Sequence, residues 1–403
     1  MSLNIFLVVA MLVVTIYLLH KEVNLGIIMV FNAVMLVIIK KIELVPAVKM
    51  GISGLISNRT IKVVLVLFLI MMLENVMRKT GMISALVFNI KELVGSNRLA
   101  AVLMPFVLGL LASAGGARFS CPMVEETVSE NGDPETKAFI NYWFRHAWLD
   151  SFILYPGMIL AAELLNTSVF NLFAHMIPFI AITFILGIIF GVGKIKSEKV
   201  ARTQPVLTSL KLFSKNILPV IGLIAIYILL LSFKYALELS TLTVLVILLA
   251  VKKYSWKQTW ETAKEAFSPK YILIIGGVMV FNEVLSGSGV LYDLQYAITS
   301  YGIPKELVYL ILPIVAGMLT GMAIGFTSMS FPLLISIGLG ENIWLGALAF
   351  TAGMIGQMIT PMHICLVMTS DYFKVNFNKL LKRIIIAIVP LFIIVALGFI
   401  IIL

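Results

Sequence analysis

Long apolar runs recur along the whole chain, and they constrain its fold more than any other feature of the sequence. Most of them, with their flanks, could cross the about 30 Å of hydrocarbon in a lipid bilayer. Clear examples lie at residues 3–19, 25–39, 63–73, 177–192, 217–231 and 384–403. The first run has neither a basic leader nor a small-x-small cleavage site, so we expect a retained span rather than a signal peptide. The pattern predicts an all-α polytopic membrane protein.

The composition supports this class and argues against a nucleic-acid partner. The 403 residues are 61% hydrophobic and 12% charged, whereas soluble domains are about 45–50% apolar and about a quarter charged. The net charge of +10 comes from basic residues in short loops between the runs, which is the positive-inside pattern of membrane proteins. Cys121 and Cys365 are expected to be small buried hydrophobes, and they indicate no disulfide framework.

Three stretches of the first half have counterparts, in the same order, in the second half. The pairs are 73–86 with 281–294, 103–113 with 311–321, and 149–157 with 356–364. Within them Gly81 matches Gly289, and Pro105 matches Pro313. Three ordered matches predict that the chain consists of two repeats.

Each repeat contains a polar-tipped apolar block that is followed by a proline-broken span. The blocks, at about 99–130 and 304–338, have two arms that are too short for ordinary spans, with glycines and hydroxyl residues between them. A re-entrant helical hairpin fits this pattern, because irregular backbone is tolerated at membrane depth only when it is buried in protein or lines a cavity. The broken spans are predicted at about 138–165 and 343–372.

The spans predict five full crossings in each repeat, so the two repeats should be inverted relative to each other. The first repeat covers 1–193, a linker covers 194–215, and the second repeat covers 216–403. The linker carries six basic residues and one acidic residue, which places it in the cytoplasm and both termini outside. The connector 40–62 then lies outside despite five basic residues, and an interfacial amphipathic helix would account for it.

This organisation resembles the ion transporter superfamily, whose members include dicarboxylate, gluconate, citrate and lactate carriers. The resemblance covers nearly the whole chain and rests on inverted five-span repeats, each with a hairpin and a broken span. The segments GGARFSCPM (115–123) and FRHAWLDSFILYPG (144–157) look most like an uncharacterised group of bacterial and archaeal membrane proteins within it. The resemblance implies an elevator mechanism, in which hairpins and broken helices carry substrate past a homodimeric scaffold in the inner membrane.

The hairpin tips differ from those of one branch of that superfamily. They read SAG (113–115) and TSM (327–329), where sodium–dicarboxylate carriers have a Ser-Asn-Thr signature. This departure counts against dicarboxylate specificity and against sodium coupling.

The hairpin tips supply most of the predicted substrate-binding residues. Unpaired backbone N–H groups and helix-end dipoles at a tip favour an anion, and glycines let the backbone approach a ligand closely. The predicted set is Ser113, Gly115, Gly116, Arg118, Ser120, Thr320, Thr327, Ser328, Ser330 and Thr360. The alternative is that small residues at these positions only permit tight helix packing.

Arg118 is the most distinctive member of this set. A guanidinium inside the bilayer costs about 2.5–3.5 kcal/mol on insertion scales and needs a partner. It would bind a substrate carboxylate through two parallel hydrogen bonds. Alternatively, it pairs with Glu125, Glu126 or Asp150, or it reaches the cytoplasmic face.

A second polar group is predicted to serve ion coupling, with Na⁺ or H⁺ as the coupling ion and no other cofactor. Its members are Glu74, Asn75, Asp150, Asn282 and Glu283. Their oxygens would bind a cation, and a buried carboxylate could also carry a proton. The alternative is that the residues of the two spans tie the hairpin tips in place by hydrogen bonds.

Pro156 and Pro361 are the predicted hinges of the broken spans. Discontinuous helices are where secondary transporters commonly coordinate substrate and ions. Other polar residues near the hinges are Arg145, His146, Ser151, Gln357 and His363. His146 is a candidate protonation site, whereas His363 is more readily explained as a core residue with satisfied hydrogen bonds.

The sequence carries no Walker pattern and no H-E-x-x-H zinc motif, so ATP-driven transport is not predicted. The methionines follow no ligand spacing, which argues against a soft-metal or inorganic-ion transporter. The duplication argues against an intramembrane hydrolase that uses Ser113 or Ser120 with His146. The sequence therefore predicts a secondary transporter, not an enzyme, that moves a small organic anion of the carboxylate class. The metal carrier and the hydrolase are the alternatives.

Overall fold

A computed structural model describes residues 23–109, 116–128, 132–147, 149–196, 202–290 and 300–403, together with residues 11, 14, 15, 17, 18, 21, 198 and 296. Within this part the chain forms α-helices joined by short turns, with no β-strand. The prediction of an all-helical chain with membrane-compatible helices is confirmed.

The helices follow one another with short connections. In the first half they are α1 (Leu25–Ile39), α2 (Leu44–Ile56), α3 (Asn58–Lys79), α4 (Met82–Val94), α5 (Asn97–Leu108), α6 (Gly116–Thr127), α7 (Pro134–His146), α8 (Pro156–Leu164) and α9 (Val169–Phe190). In the second half they are α10 (Val206–Leu229), α11 (Ala236–Val251), α12 (Trp256–Ala266), α13 (Pro269–Gly287), α14 (Lys305–Thr320), α15 (Ala323–Ser336), α16 (Ile343–Met358), α17 (Ile364–Tyr372) and α18 (Phe377–Ile402). Short 3-10 turns lie at Leu149–Ser151, Val192–Lys194 and Leu339–Glu341.

Five segments of the described chain are long and apolar enough to cross a membrane. They are Leu44–Lys79, Val169–Phe190, Val206–Leu229, Pro269–Gly287 and Phe377–Ile402. Large apolar side chains such as Ile189, Leu218 and Ile401 are exposed on three of them. Large exposed apolar surfaces are rare on soluble monomers, so these helices fit a lipid environment.

The broken helices form the interior. Residues 136–146 of α7 and 345–358 of α16 are all buried. The start of α7 is well defined, because the Asp133 side chain accepts a 2.8 Å hydrogen bond from the backbone N–H of Thr136, an N-cap that favours helix initiation. Polar side chains on α7 and α16 therefore lie among packed helices rather than toward lipid.

Helix contacts recur with the two halves exchanged. α1 packs on α13, and α11 packs on α3. In the same way α6 packs on α17 and α15 on α8, while α9 packs on α16 and α18 on α7. Where a helix of one half contacts a helix of the other, their two counterparts also contact each other, which is the contact pattern of two interlocked halves.

The two connector helices expose apolar and aromatic side chains. On α2, Leu44 is 77% exposed, and on α12, Trp256 is 83% exposed. The start of α12 is fixed by a reciprocal cap between Ser255 and Gln258. Exposed Trp next to charged residues is typical of helices at a membrane–water interface.

One part of the predicted linker 194–215 is helical, and another part is hydrogen-bonded to the end of α4. Residues 206–215 are the first turns of α10. Before them, the backbone N–H groups of Thr203 and Gln204 donate hydrogen bonds of 2.7 and 3.2 Å to the Glu92 carboxylate at the end of α4. Burial alone would raise the pKa of Glu92, but these bonds and one from the Thr203 hydroxyl outweigh it and lower the pKa below the ordinary value of 4.5.

Candidate functional site

Both broken helices are interrupted at a proline. α7 ends at His146 and α8 begins at Pro156, while α16 ends at Met358 and α17 begins at Ile364, with Pro361 in the gap between them. Proline fits the first position of α8 because the missing N–H would have no helical partner there. The two predicted hinge prolines therefore lie at helix interruptions.

Five of the buried polar side chains at these interruptions form a group that we call the central polar cluster. Its members are Arg145, His146, Asp150, Gln357 and His363. Each exposes 5% or less of its surface. Because buried polar groups must find hydrogen bonds inside the protein, the contacts of these residues define the site.

Asp150 and Gln357 join the two interruptions. The Gln357 Nε2 donates a 2.9 Å hydrogen bond to Oδ2 of Asp150, and the Tyr155 hydroxyl lies close to this carboxyl. The Oε1 of Gln357 is buried and finds no hydrogen-bond partner among the described residues. An acceptor atom is thus available beside the carboxyl group.

The two histidines of the cluster face each other. Their Nε2 atoms are 3.0 Å apart. The Nδ1 of His146 lies 2.7 Å from the carbonyl oxygen of Tyr142, and the Nδ1 of His363 lies 2.7 Å from that of Gly321. Because a carbonyl oxygen only accepts, each Nδ1 must carry a hydrogen. In the neutral rings both Nε2 atoms are then acceptors that point at one another.

Arg145 brings a positive charge to the cluster. Its guanidinium lies beside the thiol of Cys365, and its backbone lies against the first predicted hairpin. A Cβ added at Gly109, after α5, would come within 2.7 Å of the Arg145 carbonyl oxygen. The end of α5 therefore contacts the end of α7 directly.

The turn between α14 and α15 contacts the second interruption. Gly321 has a φ of +60°, and an added Cβ would lie 2.7 Å from the carbonyl of Met362. The Thr360 hydroxyl donates a 2.5 Å hydrogen bond to the carbonyl oxygen of Met318. Only glycine fits this turn without strain, and Thr360 serves here as a link between the turn and the break.

The N-termini of α8 and α15 meet beside the cluster. A Cβ at Gly157 would lie 2.6 Å from the Cβ of Ala323. The Thr327 hydroxyl lies 3.5 Å from the Gly157 carbonyl oxygen. Helix N-termini carry partial positive charge and unpaired N–H groups, so two of them together favour an anion.

The other predicted hydroxyls of the second hairpin are buried. Thr320, Ser328 and Ser330 donate hydrogen bonds of 2.6–2.8 Å to carbonyl oxygens of the preceding turn of their own helices. A hydroxyl bonded in this way can still accept a hydrogen bond. To donate to a substrate oxygen, it would first have to break its helical bond.

The predicted residues of the first hairpin lie partly outside the described residues. Ser113 and Gly115 belong to the segment 110–115, and the side chain of Arg118 is also outside the described part. Gly116 is the first residue of α6. Ser120 is fully buried on the same helix.

Among the coupling residues predicted on the spans, Glu74 lies near the central polar cluster. It is 7% exposed on α3, close enough to Arg78 and Arg145 to interact with both charges. Its neighbour Asn75 accepts a hydrogen bond from Arg78. The structure thus brings the Glu74 carboxyl toward the positive charge of the cluster.

The corresponding pair on α13 has different surroundings. Glu283 accepts a 3.2 Å hydrogen bond from the Ser53 hydroxyl on α2, and both Asn282 and Glu283 are only partly buried. The sequence treats the two pairs as equivalent, whereas their contacts in the fold are not.

Cys365, expected from the sequence to be a small buried hydrophobe, lies beside the two histidines. One ring nitrogen each of His146 and His363 and the Cys365 sulfur all lie within 4.8 Å of one another. The local signal was available, because His363 and Cys365 are two residues apart just after Pro361. What the sequence lacks is the third member, His146, which only folding brings to them.

The comparisons with known proteins give a family. A family model described as a protein of unknown function matches residues 2–402 of the chain. No curated protein matches it.

Proposed function

The chain belongs to the DUF401 family, and we propose that it is a secondary transporter of a small organic anion of the carboxylate class, coupled to H⁺ or Na⁺. The observation that carries this proposal is the central polar cluster, in which charged side chains lie at the interruptions of two buried helices. Interrupted helices commonly coordinate substrates in secondary transporters. Ionisable groups are costly at membrane depth, so function is the default explanation for them.

An anion is the favoured substrate because positive charge gathers at the site. Arg145 is 2% exposed, and the N-termini of α8 and α15 meet at Gly157 and Ala323. A guanidinium binds a carboxylate through two parallel hydrogen bonds, and a helix N-terminus adds N–H donors and a favourable dipole. These groups together suit one carboxylate of a small organic molecule.

Asp150 is the favoured coupling residue, with Glu74 as a second candidate. The Asp150 carboxyl contacts Gln357 on the other broken helix, so a change in its charge affects both interruptions. Binding of H⁺ or Na⁺ there would neutralise a negative charge beside the anion and strengthen substrate binding. The coupling ion and the substrate would then each strengthen the binding of the other, as ion-coupled transport requires.

An elevator mechanism with inverted repeats fits the exchanged helix contacts of the two halves. The paired helices α5 and α6 have 12 residues each, or about 18 Å at 1.5 Å per residue, which is shorter than a bilayer span. Short paired helices are what re-entrant hairpins require. We propose the same architecture, a homodimer and a cytoplasmic linker as in the ion transporter superfamily.

The intramembrane hydrolase is disfavoured by the contacts of His146. Its Nδ1 is engaged with the Tyr142 carbonyl and its Nε2 faces His363. A catalytic base needs a ring nitrogen directed at the nucleophilic hydroxyl. A pair of His146 with Ser120 would therefore require both imidazole contacts to be rearranged.

The proposal is tested by melting the purified protein with a panel of organic and inorganic anions, each in sodium and in choline. A ligand that binds only the folded state raises the melting temperature by mass action. We expect a carboxylate to do so, and sodium dependence of the shift would identify the coupling ion. No shift with any organic anion, together with no uptake of these anions into proteoliposomes, would overturn the proposal.

Two substitutions of Arg145 and one control variant test whether the carboxylate-dependent melting shift arises at the central polar cluster. Arg145→Gln and Arg145→Lys should lose most of the carboxylate shift. Arg383→Gln should keep it, because Arg383 contacts Thr136 and the Phe190 carbonyl instead, at 3.0 and 2.9 Å. Equal shifts in all three variants would remove Arg145 from the binding site.

A further inference from the structure

We propose that His146, His363 and Cys365 form a binding site for a thiophilic metal ion, Zn²⁺ or Cu⁺. One nitrogen of each ring and the Cys365 sulfur lie within 4.8 Å of one another. Two imidazoles and a thiolate are a ligand set that these ions favour. The inference stands on this geometry and is independent of the proposed function.

The strongest argument is the arrangement of the two imidazoles. Both Nδ1–H groups are held by backbone carbonyls, of Tyr142 and Gly321. This leaves two Nε2 lone pairs facing each other at 3.0 Å. A change of tautomer would break a 2.7 Å hydrogen bond to a carbonyl, and a shared proton would add a cation next to Arg145. A metal ion satisfies both lone pairs while both carbonyl bonds remain.

The hydrogen bonds from the two Nδ1–H groups to backbone carbonyls are also typical of histidines that bind metals. Histidines that bind metals almost always donate their other ring N–H to a carbonyl, a carboxylate or water, which fixes the tautomer and the direction of the ligand nitrogen. Here both histidines do so. The ligand nitrogens are thus oriented before any ion binds.

The distances are close to those of a bound metal. With bonds of about 2.0–2.1 Å to nitrogen and about 2.3 Å to sulfur, tetrahedral ligand atoms lie roughly 3.3–3.6 Å apart. The two imidazole nitrogens, at 3.0 Å, are already near this separation. The sulfur lies within 4.8 Å of them and would move inward by roughly 1 Å on coordination.

Charge favours the monovalent ion. The Arg145 guanidinium lies beside the Cys365 thiol and places a positive charge next to the proposed site. The same charge repels a bound cation, and the repulsion is twice as large for Zn²⁺ as for Cu⁺. Cu⁺ with one thiolate is neutral, and we therefore expect it to bind more tightly than Zn²⁺.

A bound ion would connect three elements. His146 ends α7, residues 363–365 begin α17, and the His363 ring is held by Gly321 at the turn between α14 and α15. Coordination would therefore fix the second interruption against the first. The three protein ligands leave a fourth position open, as in metal sites that bind an additional ligand.

The test is metal binding by the purified full chain in detergent. After removal of metals with a chelator, the protein is loaded separately with Zn²⁺, with Cu⁺ under reducing conditions, and with Co²⁺ as a spectroscopic probe. We expect one metal ion per chain, a higher melting temperature with Zn²⁺ or Cu⁺, and a thiolate-to-Co²⁺ charge-transfer band. If the protein retains no metal and shows no Co²⁺ band, the proposed metal site is wrong. A proton shared between the two histidines would then explain their close contact.

The variants include a matched cysteine control. Cys365→Ser should lose the charge-transfer band, and His146→Gln and His363→Gln should lose the bound metal. Cys121→Ser should keep both, because Cys121 contacts Asn141 instead, at 3.1 Å. Size-exclusion elution and metal-free melting show that each variant is folded. Metal binding by Cys365→Ser equal to that of the unmodified protein would contradict the proposal.

This test is separate from that of the proposed transport. A carboxylate-dependent melting shift in the metal-free protein would support the transporter whatever the metal result. A metal-dependent shift without any response to carboxylates would support the metal site alone.

Discussion

The Gln357 amide and the Asp150 carboxylate, 2.9 Å apart, link two helix interruptions that are 207 residues apart in the sequence. The contact is a hydrogen bond from a neutral donor to an acidic side chain that is completely buried. Because hydrogen bonds to charged groups contribute about 1.5–3 kcal/mol, the charge on Asp150 is coupled to the relative position of the broken helices. This makes Asp150 the residue at which ion binding is best placed to influence movement.

We predict that Asp150→Asn separates substrate binding from ion coupling. Asparagine keeps the size of the side chain and can still accept a hydrogen bond from Gln357, so the protein should fold. Accumulation driven by an ion gradient should fall by about tenfold or more, because the amide carries no charge that H⁺ or Na⁺ could neutralise and the coupling between ion and substrate is lost. Exchange of labelled for unlabelled substrate across proteoliposomes without a gradient should continue.

The control for this variant is Glu238→Gln. Glu238 is also a buried carboxyl, 7% exposed, but it lies on α11 beside Lys62 and Glu163, at the opposite end of α8 from the interruption. Its neutralisation should leave the gradient dependence unchanged. If Asp150→Asn accumulates substrate as the unmodified protein does, Asp150 does not carry the coupling.

We predict that Gly321→Ala disrupts the contact between the second hairpin turn and the second interruption. The left-handed backbone alone costs an alanine about 1–2 kcal/mol. The new Cβ would also come within 2.7 Å of the Met362 carbonyl, and the shift that follows should displace the His363 ring. The apparent melting temperature and uptake should both fall.

Gly302→Ala isolates the backbone part of this effect. Gly302 has the same φ of +60°, but an added Cβ there meets no atom within 4 Å. It should lower the melting temperature by less and leave uptake intact. Equal losses in the two variants would mean that the contact with Met362 has no role beyond local backbone strain.

The helix class and the helix interruptions could be predicted from local sequence, whereas the cluster could not. Apolar runs and prolines act within a few residues, so the ranges 138–165 and 343–372 could be identified directly as broken helices, and breaks lie within both. The pairing of His146 with His363 depends on packing between the two halves, which no local pattern encodes. The same is true of the pairs Glu74-Asn75 and Asn282-Glu283, which occupy matching positions of the repeat but have different neighbours.

We predict that Glu92 stabilises the docked linker only above acidic pH. Its pKa is lowered in the folded protein because hydrogen bonds from Thr203 and Gln204 outweigh the effect of burial. A group with a lowered folded pKa contributes stability above its unfolded pKa, and that stability is lost as the pH falls through the folded value. The melting temperatures of the unmodified protein and of Glu92→Gln should therefore differ at neutral pH and converge on acidification.

A second variant identifies the source of this effect. Thr203→Val removes only the 3.0 Å hydrogen bond from the Thr203 hydroxyl to the Glu92 carboxylate and keeps the backbone donors. At neutral pH its melting temperature should differ less from that of the unmodified protein than the melting temperature of Glu92→Gln does. A pH-independent difference for Glu92→Gln would mean that packing, not the carboxylate, docks the linker.

We predict that Arg118→Ala abolishes uptake while the protein remains folded and correctly sized. The reason is chemical: an arginine beside the predicted hairpin tip either binds the substrate carboxylate or pairs with an acidic side chain. Loss of a bidentate arginine contact should reduce uptake by at least about tenfold, since hydrogen bonds to charged groups contribute about 1.5–3 kcal/mol. Arg98→Ala, at the start of α5, is the matched control and should transport normally. If Arg118→Ala transports like this control, Arg118 does not bind the substrate, and Arg145 remains as the proposed carboxylate ligand. The melting shifts of Arg145→Gln and Arg145→Lys then decide whether the site binds an anion.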